Sequence, residues 1–213
     1  MSSRTGPDRI VVEHKNRGAL FRFAKSLIQM SFTVLAIPRL AAYWIAKRAL
    51  GERAFLGASE SISMIPGLRG SYLRHAFYRN TLARCGSTAY IGWLSTFSME
   101  QAELGENVYV GRRCSLGYAR VGNEVMLADG VQILSGGHEH GVGEEGETHQ
   151  QQAQTFDRVS IGEGAWLGTN VVVMADVGKH AIVGAGAVVT KPIPDYAVAV
   201  GIPAKVVKIL ETS

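Results

Sequence analysis

Residues 161–190 read IGEGAWLGTNVVVMADVGKHAIVGAGAVVT. An aliphatic residue followed by a small one recurs there as Ile161-Gly162, Leu167-Gly168, Val177-Gly178, Val183-Gly184 and Val189-Thr190. Toward the N-terminus the same pairing stands at Leu104-Gly105, Val110-Gly111, Leu116-Gly117, Val121-Gly122 and Leu127-Ala128; three of those four steps are six residues and one is five. A period near six fits neither an α-helix nor a strand. It is the hexapeptide repeat of a parallel β-helix, in which each hexad supplies a short strand and a corner. The aliphatic side chain points into a narrow prism and the small residue permits the bend. Stacked coils then bury a column that no single repeat can bury alone. An ordinary β-sandwich with glycine turns would not hold these pairs so nearly in register. Between Val173 and Val177 the hexad is about two residues short, so one corner must tighten.

The remainder of the 213-residue chain is of another kind. Its hydrophobic share of 46% against 19% charged excludes a disordered protein. Two cysteines, Cys85 and Cys114, rule out a disulfide framework and a four-cysteine zinc site, which points to a reducing compartment. The net charge of +4 is unevenly spread: residues 1–86 carry +10 and residues 87–213 carry −6. Such asymmetry marks a basic appendage that meets phosphates or a membrane, joined to a domain with other work. The basic half shows no zinc-finger spacing, aromatic RNA-binding signature or basic zipper, so no nucleic-acid partner is expected.

The organisation read from these shifts is a loose leader over 1–18, a basic, apolar-helical region over 19–86, and a β-helix over 87–213 with a loop insertion at 136–158. The leader lacks the apolar core and cleavage site of a secretory signal. Pro38 removes a backbone donor and disfavours the helical region for Ile37, so the apolar run predicts two helical pieces with a bend. Residues 51–86 read as a linker with a turn at Pro66-Gly67, followed by a helix from about Ser71 to Leu82. The insertion GGHEHGVGEEGETHQQQAQTFDR has almost no aliphatic residue. A long break in a repeat commonly lies on its binding face. It brings in His138, His140 and His149, with Glu139 beside them.

Residues 88–209, and above all 162–208 with their Gly-Ala-Gly coil, Val-Val-Thr-Lys and closing Gly-Ile-Pro-Ala-Lys, resemble the acyltransferases of left-handed parallel β-helix fold that use acetyl-CoA. The sugar O-acetyltransferases are the nearest group. The resemblance implies a mainly β, left-handed parallel β-helix with an N-terminal helical appendage. It also implies transfer of an acetyl group to a sugar hydroxyl, of a surface polysaccharide or a lipid-linked glycan precursor. On the same ground His138 is the general base. An acceptor hydroxyl is a poor nucleophile near neutral pH, and an imidazole titrating near that range can take its proton. Thr169, Ala185 and Thr190 are placed against the pantetheine arm, and Lys191 and Lys205 against the CoA phosphates. The bland alternatives are a solvated loop histidine and surface lysines.

Other readings are weighed beside this one. Two or three loop histidines raise the question of zinc, which needs three converging ligands. In the related γ-type carbonic anhydrases the histidines stand on successive coils rather than in one loop, so no metal is expected. Cys114, after Arg112-Arg113, is a candidate nucleophile or, better, a small buried wall residue. His180 reads as a surface corner residue, and Trp166 as a corner or interface aromatic. Val108–Arg112 lacks the acceptor-contacting asparagine of the galactoside enzymes, so the acceptor site differs. An antibiotic or amino-sugar acceptor, or a non-catalytic β-helix scaffold, are the alternatives to a sugar O-acetyltransferase.

Two assembly expectations follow. Flat prism sides suit a homotrimer with active sites at subunit boundaries. Residues 19–50 are apolar and flanked by basic residues, with Pro38 and Arg39 at their middle. They predict attachment to the cytoplasmic face of the inner membrane without a crossing; a helical arm packed on the trimer is the alternative.

Overall fold

The computed structural model describes residues 19–137 and 153–211, with side chains from Leu27 onward. Three helices come first: α1 over Ala19–Leu50, α2 over Arg53–Ser63 and α3 over Gly67–Arg79. Sixteen short strands follow. The first coil holds β1 (Arg84–Cys85), β2 (Tyr90–Ile91) and β3 (Thr96–Phe97). The second holds β4 (Glu103–Leu104), β5 (Tyr109–Val110) and β6 (Ser115–Leu116). The third holds β7 (Ala119–Val121), β8 (Met126–Leu127) and β9 (Gln132–Ile133). The fourth holds β10 (Val159–Ile161), β11 (Trp166–Leu167) and β12 (Val172–Val173). The fifth holds β13 (Ile182–Val183) and β14 (Val188–Val189); β15 (Ala197–Val200) and β16 (Lys205–Ile209) end the chain.

The strands stack into three sheets, one per side of the prism, parallel throughout except for the terminal β16. Each side sends one inward column to the axis. Ile91, Val110, Leu127, Leu167, Val183 and Ala199 form the first, and Phe97, Leu116, Ile133, Val173 and Val189 the second. Cys85, Leu104, Val121 and Ile161 form the third, continued by Val177 and Ile193. All are buried. The short hexad after Val173 reduces pairing on that third side to single bridges, Ile161 to Val177 and Val177 to Ile193.

The helices depart from expectation in two ways. Pro38 lies inside α1, which runs unbroken through it. Pro38 is on the solvent side, while Phe32, Ala36, Leu40 and Tyr43 on the inner side pack against α2 and α3. Tertiary packing therefore holds the two halves together across the missing hydrogen bond. At Gly51 the backbone turns left-handed, φ 61°, and the Gly51 amide donates to the Lys47 carbonyl at 2.9 Å, which stops the helix. Second, the presumed linker contains a helix of its own, α2, whose buried residues Ala54, Phe55, Ser59 and Ile62 form one face. α3 begins at Gly67 rather than near Ser71.

α2 and α3 cover the N-terminal end of the prism. Ser59 Oγ accepts from the Phe97 amide at 2.9 Å and pairs with the Tyr78 hydroxyl at 2.8 Å. Tyr78 stacks edge-on to Phe97, with ring centroids 4.6 Å apart. Arg74, buried on α3, donates to the carbonyls of Ile65 at 2.6 Å and Ile91 at 3.1 Å. Its guanidinium thus ties the α2–α3 turn to the first coil.

Outside the prism, neighbouring coils are joined by side chains. The Glu106 carboxylate accepts from the Ser87 amide at 3.0 Å and the Thr88 hydroxyl at 2.7 Å, with further bonds from the Thr88 amide and the Ser87 hydroxyl. The Ser87 amide foremost, then the Thr88 hydroxyl, holds this carboxyl down to about 2. Its folded pKa lies below the unfolded one, so its contribution is full above about pH 4.5 and is lost as pH falls toward about 2. In urea titrations, wild type should exceed Glu106→Gln in stability at neutral pH, and the gap should close across that acid window. A gap that stays constant down to pH 2 would sink this assignment.

Candidate active site

The third coil leaves the prism at its second corner. The Leu134 amide still donates to Val173 at 2.9 Å, as in a regular rung. The Asp157 amide donates to the Ser135 carbonyl at 2.8 Å, and the Val159 amide to the Tyr118 carbonyl at 2.9 Å. The two ends of the insertion are thereby clipped together, and the chain re-enters the stack without disturbing it. Gly136 sits in this neck with φ 95°, and a Cβ there would meet the Asp157 Cβ at 2.8 Å. Only glycine suits such a position. His138 is two residues beyond it in sequence; His138, Glu139, His140 and His149 lie outside the described residues.

Beneath the neck a cluster forms that the sequence did not announce. The Arg158 guanidinium lies over the Tyr118 ring at 4.5 Å and pairs with Glu103 at 2.9 Å. Arg120 holds the same carboxylate at 3.1 Å, and its hydrogen bond is the chief cause that keeps Glu103 below the ordinary carboxylate range. A cavity of about 330 Å³ opens beside this cluster, lined by Glu52 just before α2, Phe55 of α2, and Glu100, Tyr118 and Phe156. Glu100 pairs with Lys47 of α1, while burial raises its pKa. Among the described residues, Glu100 Oε1 and Arg158 Nε have no hydrogen-bond partner. The cavity thus joins aromatic walls to carboxylates, which suits a polyhydroxylated ligand.

The proposed CoA-binding positions fall into two places. Thr169 and Ala185 stand one above the other on the corner between the first and second sides, where the Gly186 amide donates to the Thr169 carbonyl at 2.8 Å. Thr190 and Lys191 follow β14 at the next corner. Both corners border the same side of the prism, and all four residues are exposed. Lys205 opens β16 and pairs antiparallel with Val200, directly after Ala199, which is in register with Val183; it therefore stands near the same corner as Ala185.

Three other residues receive structural roles. Cys114 is buried in the wall, with its thiol 3.2 Å from the Ala128 carbonyl. Burial pushes its pKa up, and the adjacent Arg112 is committed to Asp129 at 2.7 Å. It is no activated nucleophile. His180 occupies a left-handed corner, φ 51°, stacked on Tyr196 at 5.1 Å. Trp166 lies on the strand β11 rather than at a corner, and faces outward. Among the described residues no cluster of three His, Cys, Asp or Glu side chains could hold a metal.

Comparison with known proteins fits this geometry. Residues 158–191 match the hexapeptide repeat of succinyl-transferase. The galactoside O-acetyltransferase of Escherichia coli (strain K12) is 28% identical over 148 residues, 63% of this chain and 68% of that protein. Other curated relatives align over smaller shares of their own length. Among solved structures, a maltose O-acetyltransferase from Clostridium difficile 630 superposes with a TM-score of 0.67 at 25% identity, over 76% of this chain and 87% of that one. A galactoside acetyltransferase in complex with coenzyme A superposes at 0.59 with 22% identity, over 76% and 84%, a likeness of fold. The repeat and the left-handed parallel β-helix are those of the hexapeptide-repeat acyltransferases.

Proposed function

We propose that this hexapeptide-repeat protein transfers an acetyl group from acetyl-CoA to a sugar hydroxyl. The observation that carries the reading is the clipped neck at Ser135 and Asp157, which launches the histidine-bearing loop from an otherwise regular acyltransferase prism. Relatives that share the prism include galactoside and maltose O-acetyltransferases by name, beside a sugar N-acetyltransferase and serine acetyltransferases. The chain's own residues suit the donor. Thr169 and Ala185 are small and exposed on one corner, so they would not obstruct a slender thioester arm, and the exposed ammonium of Lys191 can neutralise phosphate.

In the proposed reaction His138 takes the proton of the acceptor hydroxyl while that oxygen attacks the thioester carbonyl. The new C–O bond forms, the C–S bond breaks, and the imidazolium returns its proton to the departing thiolate. No acyl-enzyme is needed, because the thioester is already activated. The acceptor proposed is a sugar of a surface polysaccharide or of its lipid-linked precursor. The working form is a cyclic homotrimer, peripheral on the cytoplasmic face of the inner membrane through residues 19–50. Support for the trimer is an outward stripe on the first side, Tyr90, Tyr109, Met126 and Trp166, all more than a third exposed. Tyr90 and Tyr109 stack at 5.0 Å, so the stripe is ordered apolar surface of the kind that subunits cover.

The test is CoA release from acetyl-CoA with a panel of mono- and oligosaccharides, run alongside light scattering. Turnover with a sugar acceptor by a trimer is expected. Neither turnover nor acetyl-CoA binding would favour the scaffold reading, acetyl-CoA binding without turnover on any sugar would favour another acceptor, and a fully active monomer at micromolar concentration would exclude the trimer.

A further inference from the structure

The outer face of α1 is a bare apolar surface among the described residues. Its inner stripe, Gln29, Phe32, Ala36, Leu40, Tyr43 and Lys47, recurs every three to four residues and packs onto the body of the protein. The opposite stripe, Leu27, Met30, Val34 and Ile45, is bare, flanked by the equally bare Leu35, Ile37 and Trp44. Ile45 is 71% exposed and Val34 63%. Leu27–Leu50 is long and apolar enough, by length and composition, to cross a membrane. Yet the helix is fastened along its length. Gln29 Nε2 donates to the Ser87 carbonyl at 2.9 Å, Phe32 stacks on Tyr72 at 5.1 Å, and Lys47 pairs with Glu100. A crossing helix would have to break all three ties and carry Arg39 and Pro38 into hydrocarbon.

Charge identifies what covers this face. Residues 19–50 contain five basic residues, Arg22, Lys25, Arg39, Lys47 and Arg48, and no acidic one. Arg39 and Arg48 are exposed on opposite flanks of the bare stripe. A groove of about 350 Å³ runs between α1 and α2, walled by Tyr43, Ala46, Ile62 and Phe77, and its lining includes Arg39 and Arg53. An apolar floor with two guanidiniums is suited to an acyl chain beneath a phosphate.

We propose that α1 lies in the plane of an anionic phospholipid surface, its Leu27–Ile45 stripe among the upper acyl chains and Arg39, Arg48 and Arg53 on headgroup phosphates. This rests on the membrane reading above and adds its orientation, its lipid charge and its residues. The helix packs on α2 and α3, which cover the end of the prism, while the apolar stripe that supports the trimer lies on a side. A cyclic trimer of side-by-side prisms would therefore turn all three α1 faces the same way.

The test is flotation of the full-length protein with two vesicle types. One is pure phosphatidylcholine; in the other roughly a third of the lipid is phosphatidylglycerol, so that the surface is anionic. Strong, salt-sensitive binding to the second alone is expected. Arg39→Gln and Arg53→Gln should each weaken it about fivefold, the equivalent of ~1 kcal/mol per basic residue. Val34→Glu with Ile45→Glu should abolish it while leaving acetyl-CoA binding unchanged. Equal binding to both vesicles would leave the membrane reading standing and overturn the anionic one. Absence of binding to either would overturn both, and if the glutamate pair then split a larger oligomer, the occupant would be a second copy of this chain. Resistance of the membrane-bound protein to alkaline carbonate would overturn the in-plane orientation in favour of a crossing helix.

Discussion

Replacing His138 with Ala is expected to lower kcat by roughly 10²–10⁴, the usual contribution of a general base, with acetyl-CoA binding retained. His140→Ala should cost far less. The difference rests on the resemblance, which assigns the base to His138 and no role to His140; the described chain ends at the neck, where Ser135 and Asp157 are clipped at 2.8 Å. Steady-state rates with a sugar acceptor, together with calorimetric titration of acetyl-CoA, decide the matter. If the two effects are reversed, the register across the loop is wrong by two residues. If neither substitution matters, the base is elsewhere and the proposed chemistry fails.

The second large effect is on stability. Arg74→Ala should destabilise the protein by about 3 kcal/mol, because the part-buried Ile65 and the buried Ile91 carbonyls lose a charged donor and each such orphan costs about 1–3 kcal/mol. Burial lowers the Arg74 pKa, but an arginine at this site remains charged at any working pH. Arg74→Lys should recover only part of the loss, since one ammonium cannot copy a rigid fork spread over two acceptors on different elements. Urea unfolding of the three proteins measures this. A loss below about 1 kcal/mol for the alanine variant would show that the helices stay seated without the guanidinium.

The β-helix was legible in the sequence because its signal is local. Most inward residues are followed by their own small corner residue, and the interval repeats whatever lies elsewhere in the chain. Leu104 through Leu127 and Ile161 through Val189 therefore gave their three buried columns directly. Corner pairings are also periodic: Glu103 with Arg120 and Arg112 with Asp129 are each 17 residues apart, one coil. Arg158 meets Glu103 at a separation of 55 because the insertion falls between them, and no pattern in the sequence marks that pair. The helices were harder for a different reason. Pro38 is a sound local breaker, but its effect was overridden by packing on α2 and α3, which a single segment does not display. α2 was missed although Ala54, Phe55, Ala58 and Ile62 hold helical spacing; eleven residues with a glycine and three serines gave a weak stripe. Of the candidate site, the small corner residues and the neck emerged where the repeat said a coil should turn. The cavity beside Glu100 and Tyr118 depends on α2 and had no precedent in the repeat.

A stack of parallel rungs has two open ends, and each is a template on which another chain's strand can pair. Here neither end is left free. α2 and α3 sit over the first coil, with Ser59 accepting the Phe97 amide. At the other end β16 turns back antiparallel along β15, and residues 201–204 cross β14, where Gly201 accepts the Val188 amide and the Ala204 amide bonds the Val188 carbonyl. Polymerisation end to end, the inherent hazard of a solenoid, is blocked by reversing the strand direction at one pole and by changing the secondary structure at the other. The same arrangement limits how such a protein can change in length over evolution. Whole coils can be inserted or removed between the poles without uncovering either end.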